Sequence, residues 1–408
     1  MSRFVDAIAP ARMGASFRWL LVSSWVTNVA DGIALAAGPL LVASQTRDPF
    51  LIALATLLQR LPWLVFGLQA GVVADRLDRR LLIVVGNLIR AGLLAVLVVT
   101  IVTDTVNVAV VLVALFLVGT AEVVVDTTGS TVLPMIVEPR DLGLANARLM
   151  FGNITINRLA GPPLGAFLFA VGLAVPFVAQ AVLIAFGALL VTRIAIEPPD
   201  RGERVASVRS EIAEGVRWLW RHPAIRTLTI TVVAFNITFG AVLSILVLYS
   251  IERLGLGDVG FGLLIACGAA GGTFGALVYG RLEESLGMAN IMRIGLIIET
   301  LTHLVFALTT TPVIAMSVFF VFGIHESAWG TTSVTIRQRA VPTEFQGRVG
   351  SVYFVGVFGT LVAGSALGGV IASVWGVTGP FWFAFVGSAL ILAAIWRQLA
   401  SIAAADQA

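Results

Sequence analysis

The sequence has no lysine, one cysteine, three histidines and few charged residues of either sign. Charged residues make up 12% of the 408 residues, hydrophobic residues make up 58%, and the mean hydropathy is +0.98. A soluble globular domain has about 25% charged and 45–50% apolar residues, so this composition excludes that class. A single cysteine, Cys267, excludes a disulfide framework and a thiolate metal site. No cluster of His, Asp or Glu has the spacing of metal ligands, and we expect neither a metal nor a cofactor.

Long apolar segments recur along nearly the whole chain. Each is long enough to cross a hydrocarbon core of about 30 Å. Lipid offers the backbone no hydrogen-bond partners, so each segment must be a helix. We predict an all-α membrane protein with twelve transmembrane helices, at residues 16–43, 50–74, 81–103, 107–137, 141–170, 175–196, 223–251, 258–280, 287–309, 312–340, 345–373 and 377–398.

The basic residues orient these spans. All 26 are arginine, and about 21 of them fall on one side of the membrane, with only Arg47 and Arg253 on the other. Basic residues concentrate in cytoplasmic loops, so we expect both termini in the cytoplasm. The net charge of +3 then reflects topology, and we expect no nucleic-acid partner. Arginine without lysine suggests a GC-rich bacterial genome, and hence the bacterial cytoplasmic (inner) membrane.

A polar segment, 197–222, divides the chain near its middle. It opens with two prolines, which do not continue a helix, and then shows apolar residues at helical spacing over Ser207–Arg221. We predict an amphipathic linker helix on the cytoplasmic membrane face, with Trp218 and Trp220 at headgroup level. A docking site for a partner protein is the alternative. The predicted domains are 1–196, the linker 197–222, and 223–408.

The two halves of the chain repeat at a nearly constant offset. The matched positions include Glu122 with Glu326, Gly161 with Gly364, Gly165 with Gly368, and Gly32 with Gly240. Such a repeat indicates a duplication, and it predicts two parallel, pseudo-symmetric six-helix bundles with a site between them.

Charged side chains at the span centres need a reason, because each costs about 2.5–3.5 kcal/mol on insertion scales. Five carboxylates but only three arginines lie at these depths, so not all of the carboxylates can form ion pairs. A carboxyl without a cation in a medium of low dielectric constant binds a proton, which suits a proton-coupled exchanger. The deep residues are Asp31, Arg60, Arg90, Glu122, Asp126, Arg158, Glu299, His303, His325 and Glu326.

Asp31 and Glu122 are the main candidates for proton coupling or substrate binding. The alternative for Asp31 is a structural ion pair with Arg60 or Arg158. Glu122 and its repeat mate Glu326 would form a symmetric pair facing one cavity.

The other deep polar residues have simpler explanations beside a functional one. Asn157 and Asn236 could hydrogen-bond a substrate or only join helices. Asp126 lies nearer the cytoplasm, where the charged loop could pair with it.

In the second half, Glu299 and His303 are four residues apart on one helix. This spacing predicts that they pair with each other in a structural role. Arg90, on the third span, is given a similar structural role. His325 is expected to hydrogen-bond between helices.

The connection between the second and third spans carries the pattern G-x-x-x-D-R-x-x-R-R. It resembles the signature loop of the major facilitator superfamily of transporters, with Asp78 where the family's usual form has Gly. The resemblance implies a charge network at a cytoplasmic gate, with Asp75 facing the start of the eleventh span. The residues concerned are Gly71, Asp75, Arg76, Arg79 and Arg80.

On the fifth span, Gly161-Pro162-Pro163-Leu164-Gly165 resembles part of the motif of exporters in that superfamily. Proline removes a backbone donor and glycine permits close packing, so Gly161, Pro162 and Gly165 predict a bendable seam against the second half.

The whole chain is similar to the subgroup that holds the enterobactin exporter and the macrolide and multidrug efflux proteins. The resemblance implies a monomeric secondary transporter in contact with membrane lipids, which exports a lipophilic small molecule (a drug-like compound or siderophore) by proton antiport with alternating access. The alternatives on the same fold are a transporter of lysophospholipid or another lipid, and a proton-independent facilitator. An enzyme is disfavoured, because no cluster of His, Asp or Glu has metal-ligand spacing and no nucleophile motif occurs. No nucleotide-binding loop occurs either, so we do not expect ATP to be the energy source within this chain.

Overall fold

A computed structural model describes residues 10–195 and 208–403 of the chain. These residues form helices and short connections, and no strand occurs among them. The helices are α1 (Gly14–Gln45), α2 (Pro49–Arg76), α3 (Arg79–Val102), α4 (Val108–Ile136), α5 (Leu142–Phe151), α6 (Gly161–Val171), α7 (Val175–Val191), α8 (Val208–Arg221), α9 (Pro223–Ser244), α10 (Leu246–Glu252), α11 (Asp258–Leu308), α12 (Pro312–Ala340), α13 (Thr343–Trp375), α14 (Gly379–Ile395) and α15 (Gln398–Ala403). A π-helical segment, Gly152–Ala160, joins α5 to α6.

The described helices are consistent with twelve membrane spans. Nine helical stretches are long and apolar enough to cross a bilayer. Helices α7 and α14 are shorter apolar helices of 17 residues each. Helix α11 is a run of 51 residues that contains two of the predicted spans. The ends of the spans agree with the predicted ends to within a few residues at most positions.

The two spans within α11 are joined at a single residue. Gly287 has φ +72° and ψ 158°, and it is the non-helical position inside the run. A positive φ is accessible to glycine without steric cost, whereas a Cβ would be strained there. The sequence predicts a six-residue connection at 281–286, but the helix continues through those residues and turns at Gly287.

The described residues divide into two compact units. The first comprises residues 10–46, 62–195 and 258–266, and the second comprises 47–61, 208–257 and 267–403. In the first unit α1 packs against α4, α6 and α7, and α3 packs against α4 and α7. In the second unit α9 packs against α13 and α14.

Glycines let neighbouring helices approach closely at repeated positions in each unit. A Cβ on any of these glycines would meet backbone atoms of the adjacent helix. Because the glycines on α6 repeat as those on α13, their similar packing supports an internal duplication. The close approaches are Gly161 with Gly32 and Gly165 with Ile33 in the first unit, and Gly364 with Ile237 and Gly368 with Ala241 in the second.

The predicted linker helix is present as α8, and it packs on α13 within the second unit. Gly215 lies against the backbone of Arg348, and the Arg348 guanidinium forms an ion pair with Glu214 at 2.9 Å. The predicted opening of the linker, up to residue 207, lies outside the described residues. Helix α8 is therefore held by protein contacts at its middle.

The two tryptophans of α8 differ in their surroundings. Trp218 stacks on His222 with ring centroids 3.7 Å apart, and its ring lies 5.9 Å from that of Phe345. Trp218 therefore packs against protein, and its position at headgroup level stays a prediction. Trp220 is exposed, and its position at headgroup level also stays a prediction.

The close approach of α1 and α6 predicts a specific cost for adding one methyl group. Gly161→Ala places a Cβ against the backbone of Gly32, which cannot move without shifting a helix. We expect Gly161→Ala to lower the free energy of unfolding by about 1–3 kcal/mol, as overpacking does elsewhere. Unfolding of the purified protein in mixed detergent micelles measures this change.

Gly129→Ala is the matched control. Gly129 lies inside α4, and its Cβ would have no heavy atom of another described segment within 4 Å. We expect Gly129→Ala to be neutral or slightly stabilising, since alanine favours helix more than glycine does. Equal effects of the two substitutions would contradict the close packing of α1 on α6.

Candidate functional site

Three helices of the first unit bring polar side chains together. Helix α4 packs against both α1 and α3. Each of the three carries a charged residue deep in an apolar sequence, namely Asp31 on α1, Arg90 on α3 and Glu122 on α4.

The guanidinium of Arg90 is the centre of this site. Its Nη2 donates a hydrogen bond to a carboxylate oxygen of Asp31 and another to Oε2 of Glu122, at 3.2 Å in the second case. Its Nη1 donates to Oδ1 of Asn87, one turn earlier on α3, at 3.2 Å. One cation therefore joins carboxylates from two other helices. We name Asp31, Arg90 and Glu122 the Arg90 cluster.

Exposure rises from the cation to the acids. The side chain of Arg90 is 2% exposed, that of Asp31 is 14% exposed, and that of Glu122 is 30% exposed. Burial of an arginine is tolerated where its charge is paired, and here the pairing is shared. Glu122 therefore has the most accessible side chain of the three.

The Arg90 cluster has more acid than base. Asp126 lies one turn along α4 from Glu122 and acts electrostatically on Arg90. It is exposed, and within the part of the chain that the structure describes it forms no ion pair, so the predicted pairing with the cytoplasmic loop is not seen there. Two carboxylates share one guanidinium in the cluster, so with both ionised it carries one net negative charge. The excess negative charge favours uptake of a proton or a cation.

The partner of Asp31 differs from the one that the sequence predicts. Asp31 pairs with Arg90, and Arg158, one of the two predicted partners, is exposed on the π-helical segment. The sequence gives Arg90 only a structural role on a peripheral helix, whereas the structure places it between the two predicted acids. The spacing of Asn87 and Arg90, which puts both on one helix face, is the signal that would have indicated a polar site.

The remaining predicted substrate residues lie elsewhere. The backbone of Asn157 packs against Gly32, and the amide of Asn236 donates to the carbonyl of Val232 in its own helix at 2.8 Å. Glu326 is exposed and has no ion-pair partner among the described residues. The repeat mates Glu122 and Glu326 therefore have different local surroundings, and the substrate roles of these residues stay predictions.

The second unit holds another buried polar pair. Nε2 of His325 lies 3.2 Å from Oε2 of Glu299, which confirms that His325 bonds between helices. The predicted pair of Glu299 with His303 is wrong, because Glu299 reaches across to α12 and not along its own helix. His303 is 2% exposed, and its Nε2 has no hydrogen-bond partner in the described structure.

The loop between the second and third spans is shorter than the sequence predicts, since α2 continues to Arg76 and α3 begins at Arg79. Asp78 is the N-cap of α3, and its Oδ1 accepts a hydrogen bond from the backbone N–H of Leu81 at 2.9 Å. A capping carboxylate explains why aspartate serves at this position.

The other members of the predicted charge network are only partly visible. Arg79 contacts the sulfur of Met135 on α4 at 3.0 Å, and Arg76 and Arg80 are exposed. No atom of the described residues lies within 4 Å of the place that a Cβ on Gly71 would take. The side chain of Asp75 lies outside the described residues, so the gate stays a prediction.

The exporter-like motif of the fifth span follows a π-helical segment that the sequence does not predict. Pro162 and Pro163 have no backbone N–H, so two carbonyls of the preceding turn lack their α-helical donors. The N–H of Gly161 bonds instead to the carbonyl of Ile156, five residues back. Gly262, at the start of α11, lies against Pro162 and Pro163. The π-helical segment thus precedes the motif, and the two prolines of the motif are in close contact with α11.

Comparison with known proteins gives consistent matches along the chain. The model of the family described as the Major Facilitator Superfamily matches residues 20–360. A multidrug efflux pump, Tap, of Mycolicibacterium fortuitum is 27% identical over 367 residues, covering 86% of this chain and 87% of that protein. Macrolide efflux protein A of Streptococcus pyogenes is 23% identical over 381 residues, covering 91% and 92%.

Solved structures show the same fold at low identity. The nucleoside transporter NupG has a TM-score of 0.74 at 13% identity, covering 95% of this chain and 99% of that one. A bacterial homologue of the iron transporter ferroportin, in an inward-facing state, has a TM-score of 0.72 at 16% identity, covering 92% and 98%.

Removal of the shared cation tests the geometry of the Arg90 cluster. We expect Arg90→Met to lower the free energy of unfolding by about 3–5 kcal/mol, because Asp31 and Glu122 lose their only described cation. Arg140→Met, at an arginine that is 73% exposed, is the control and should change stability by less than about 1 kcal/mol.

A rescue variant separates lost pairing from lost packing. Adding Asp31→Asn and Glu122→Gln to Arg90→Met removes the unpaired acids, and we expect it to recover at least half of the lost stability. Unfolding in mixed micelles measures all three variants. No recovery in the triple variant would show that the guanidinium acts through packing alone.

Proposed function

Because this chain belongs to the Major Facilitator Superfamily, we propose that it exports a lipophilic small molecule by proton antiport with alternating access. The fold is that of a multi-pass membrane transporter, and the two curated relatives named above are efflux proteins. The single observation that carries the proton-coupling part is the Arg90 cluster, in which one buried cation is shared by two acids.

The coupling step is a competition for Arg90. With both acids ionised, Arg90 bonds to Asp31 and Glu122 together. A proton that binds a carboxylate oxygen of Glu122 removes the charge that holds this acid to Arg90, and the guanidinium then serves Asp31 alone. Loss of the proton restores both bonds. Protonation of Glu122 therefore breaks the ion pair that joins α4 to α3.

In the proposed antiport, the inward proton gradient sets the direction of transport. Protons arriving from outside would neutralise Glu122 or Asp31 while substrate leaves, and release of the protons inside would reset the site. A net negative cluster also favours a substrate that carries positive charge, which would compete with the proton for the same acids.

The proposed arrangement of the protein is based on the internal repeat. Residues 1–196 and 223–408 form two pseudo-symmetric bundles, joined by the linker 197–222, that rock around a midplane cavity. Residues Gly161, Pro162 and Gly165 form a seam that bends, and the Gly71–Arg80 segment forms the cytoplasmic gate. The protein acts as a monomer in the bacterial cytoplasmic membrane, with both termini in the cytoplasm.

Transport in inverted membrane vesicles tests the coupling. We expect Asp31→Asn and Glu122→Gln each to reduce pH-gradient-driven uptake of macrolides and other lipophilic drugs to the background of empty vesicles. Exchange of substrate without a gradient should persist, because an amide still hydrogen-bonds Arg90 but does not take up a proton. Glu284→Gln, at an exposed acid, is the matched control and should transport as the wild type does.

Two results would overturn the proposal. If both cluster variants keep full gradient-driven flux, then Asp31 and Glu122 are not the coupling groups. If flux through the wild type is insensitive to an uncoupler, then the protein is a proton-independent facilitator.

A further inference from the structure

The second unit contains a buried acid–base pair that the mechanism proposed above does not use. The carboxylate of Glu299 on α11 lies against the imidazole of His325 on α12, with Oε2 and Nε2 3.2 Å apart. The side chain of Glu299 is 9% exposed and that of His325 is 3% exposed. Both groups can take up a proton, and both are removed from water.

A glycine fixes the packing beside this pair, and the first unit has a glycine in the equivalent place. A Cβ on Gly295 of α11 would meet the side chains of His325 and Trp329 on α12. A Cβ on Gly86 of α3 would meet Ala121 and Val125 on α4. Ala121 and Val125 match His325 and Trp329 at the same offset that matches Glu122 with Glu326. Gly86 and Gly295 are therefore equivalent positions of the internal repeat.

The equivalence of the glycines makes Arg90 and Glu299 equivalent too. Each follows its glycine by four residues, which is about one helical turn. Arg90 reaches across to Glu122 on α4, and Glu299 reaches across to His325 on α12. The second unit thus repeats the cross-helix pair of the first unit with acid and base exchanged.

The charge of Glu299 is not balanced by an arginine in the part of the chain that the structure describes. Its ion-pair partner there is His325. Arg293, on the same helix, has its guanidinium over the ring of Trp396, 5.4 Å from the ring centroid. An ionised carboxylate beside a neutral imidazole would leave one negative charge buried, which is costly. One bound proton removes that charge.

The other titratable groups of the second unit do not replace this proton. His303 lies one turn after Glu299 and is buried, and Glu326 follows His325 and is exposed. In α9, α10, α12, α13 and α14 the other charged residues lie in the first or last two turns, namely Arg226, Glu252, Arg337, Arg339, Glu344 and Arg348. Neutralisation of Glu299 therefore depends on His325 and a proton.

We propose that Glu299 and His325 form a second proton-binding site, so that each half of the duplicated fold binds a proton of its own. The proton is shared between Oε2 of Glu299 and Nε2 of His325, and its binding converts a singly negative pair into a neutral one. The use of this proton in transport rests on the proposed function and means that two protons move for each substrate. The binding of the proton does not rest on it.

A difference titration of the purified full chain in detergent counts the proton. Glu299→Gln keeps a hydrogen bond to His325 but removes the acid. We expect the wild type to take up about one proton more per molecule than Glu299→Gln between about pH 8 and pH 5, the range in which histidine sites titrate. His325→Gln should lose the same proton, because the two residues share it.

Glu284→Gln is the matched control for this titration. Glu284 is an exposed acid of α11, before the turn at Gly287. Exposed carboxyls titrate at about pH 4, so the control should take up as many protons as the wild type over the measured range.

Accumulation of a macrolide in inverted vesicles tests the use of the proton in transport. With the membrane potential clamped at zero, each coupled proton adds about tenfold accumulation for each pH unit of gradient. We therefore expect about 100-fold accumulation per pH unit in the wild type and about tenfold in Glu299→Gln.

The two measurements separate the proton site from its use. Equal proton uptake by the wild type and Glu299→Gln would overturn the site. Loss of the proton with unchanged accumulation would show that the site exists and that transport does not use it. If the wild type accumulates no macrolide under a gradient, the proposed function fails, and the titration still decides whether the pair binds a proton.

Discussion

The structure of the first unit depends on how one positive charge is kept in an apolar surrounding. Arg90 is almost completely buried, and lipid offers a guanidinium neither counter-charge nor hydrogen bonds. The solution is to surround it with acceptors from three helices, Asp31 on α1, Asn87 on α3 and Glu122 on α4. The arrangement fixes the relative positions of those helices, and any event that changes one acid alters the constraint on all three.

A second constraint is the close approach of helix backbones. Without a hydrophobic force between helices in lipid, association depends on packing and on hydrogen bonds, and small residues permit the shortest distances. Gly161 and Gly165 provide this contact in the first unit, and Gly364 and Gly368 provide it in the second. Polar clusters and small-residue contacts are therefore complementary. The polar clusters hold specific helices together by ion pairs and hydrogen bonds, and the small-residue contacts do so by close packing.

The sequence predicts the positions of the membrane spans well and the side-chain ion pairs poorly, and the difference has a physical reason. Span position follows from hydropathy, which is a property of each segment alone. Pairing depends on which helix faces which, and neither Arg90 with Asp31 nor His325 with Glu299 can be read from spacing along one helix. The capping role of Asp78 was within reach of sequence reasoning, since aspartate commonly begins helices. The π-helical segment before Pro162 depends on how freed carbonyls relax, which hydropathy does not describe.

The turn at Gly287 has a mechanical consequence for the two spans of α11. Helical geometry runs up to this residue and resumes after it, so no slack chain separates the two rods. A long flexible loop would let each rod spin about its own axis independently. Here the two backbone torsions of one glycine form the whole joint, so a change in the angle between the rods must come from φ and ψ of Gly287 or from bending of the helices themselves.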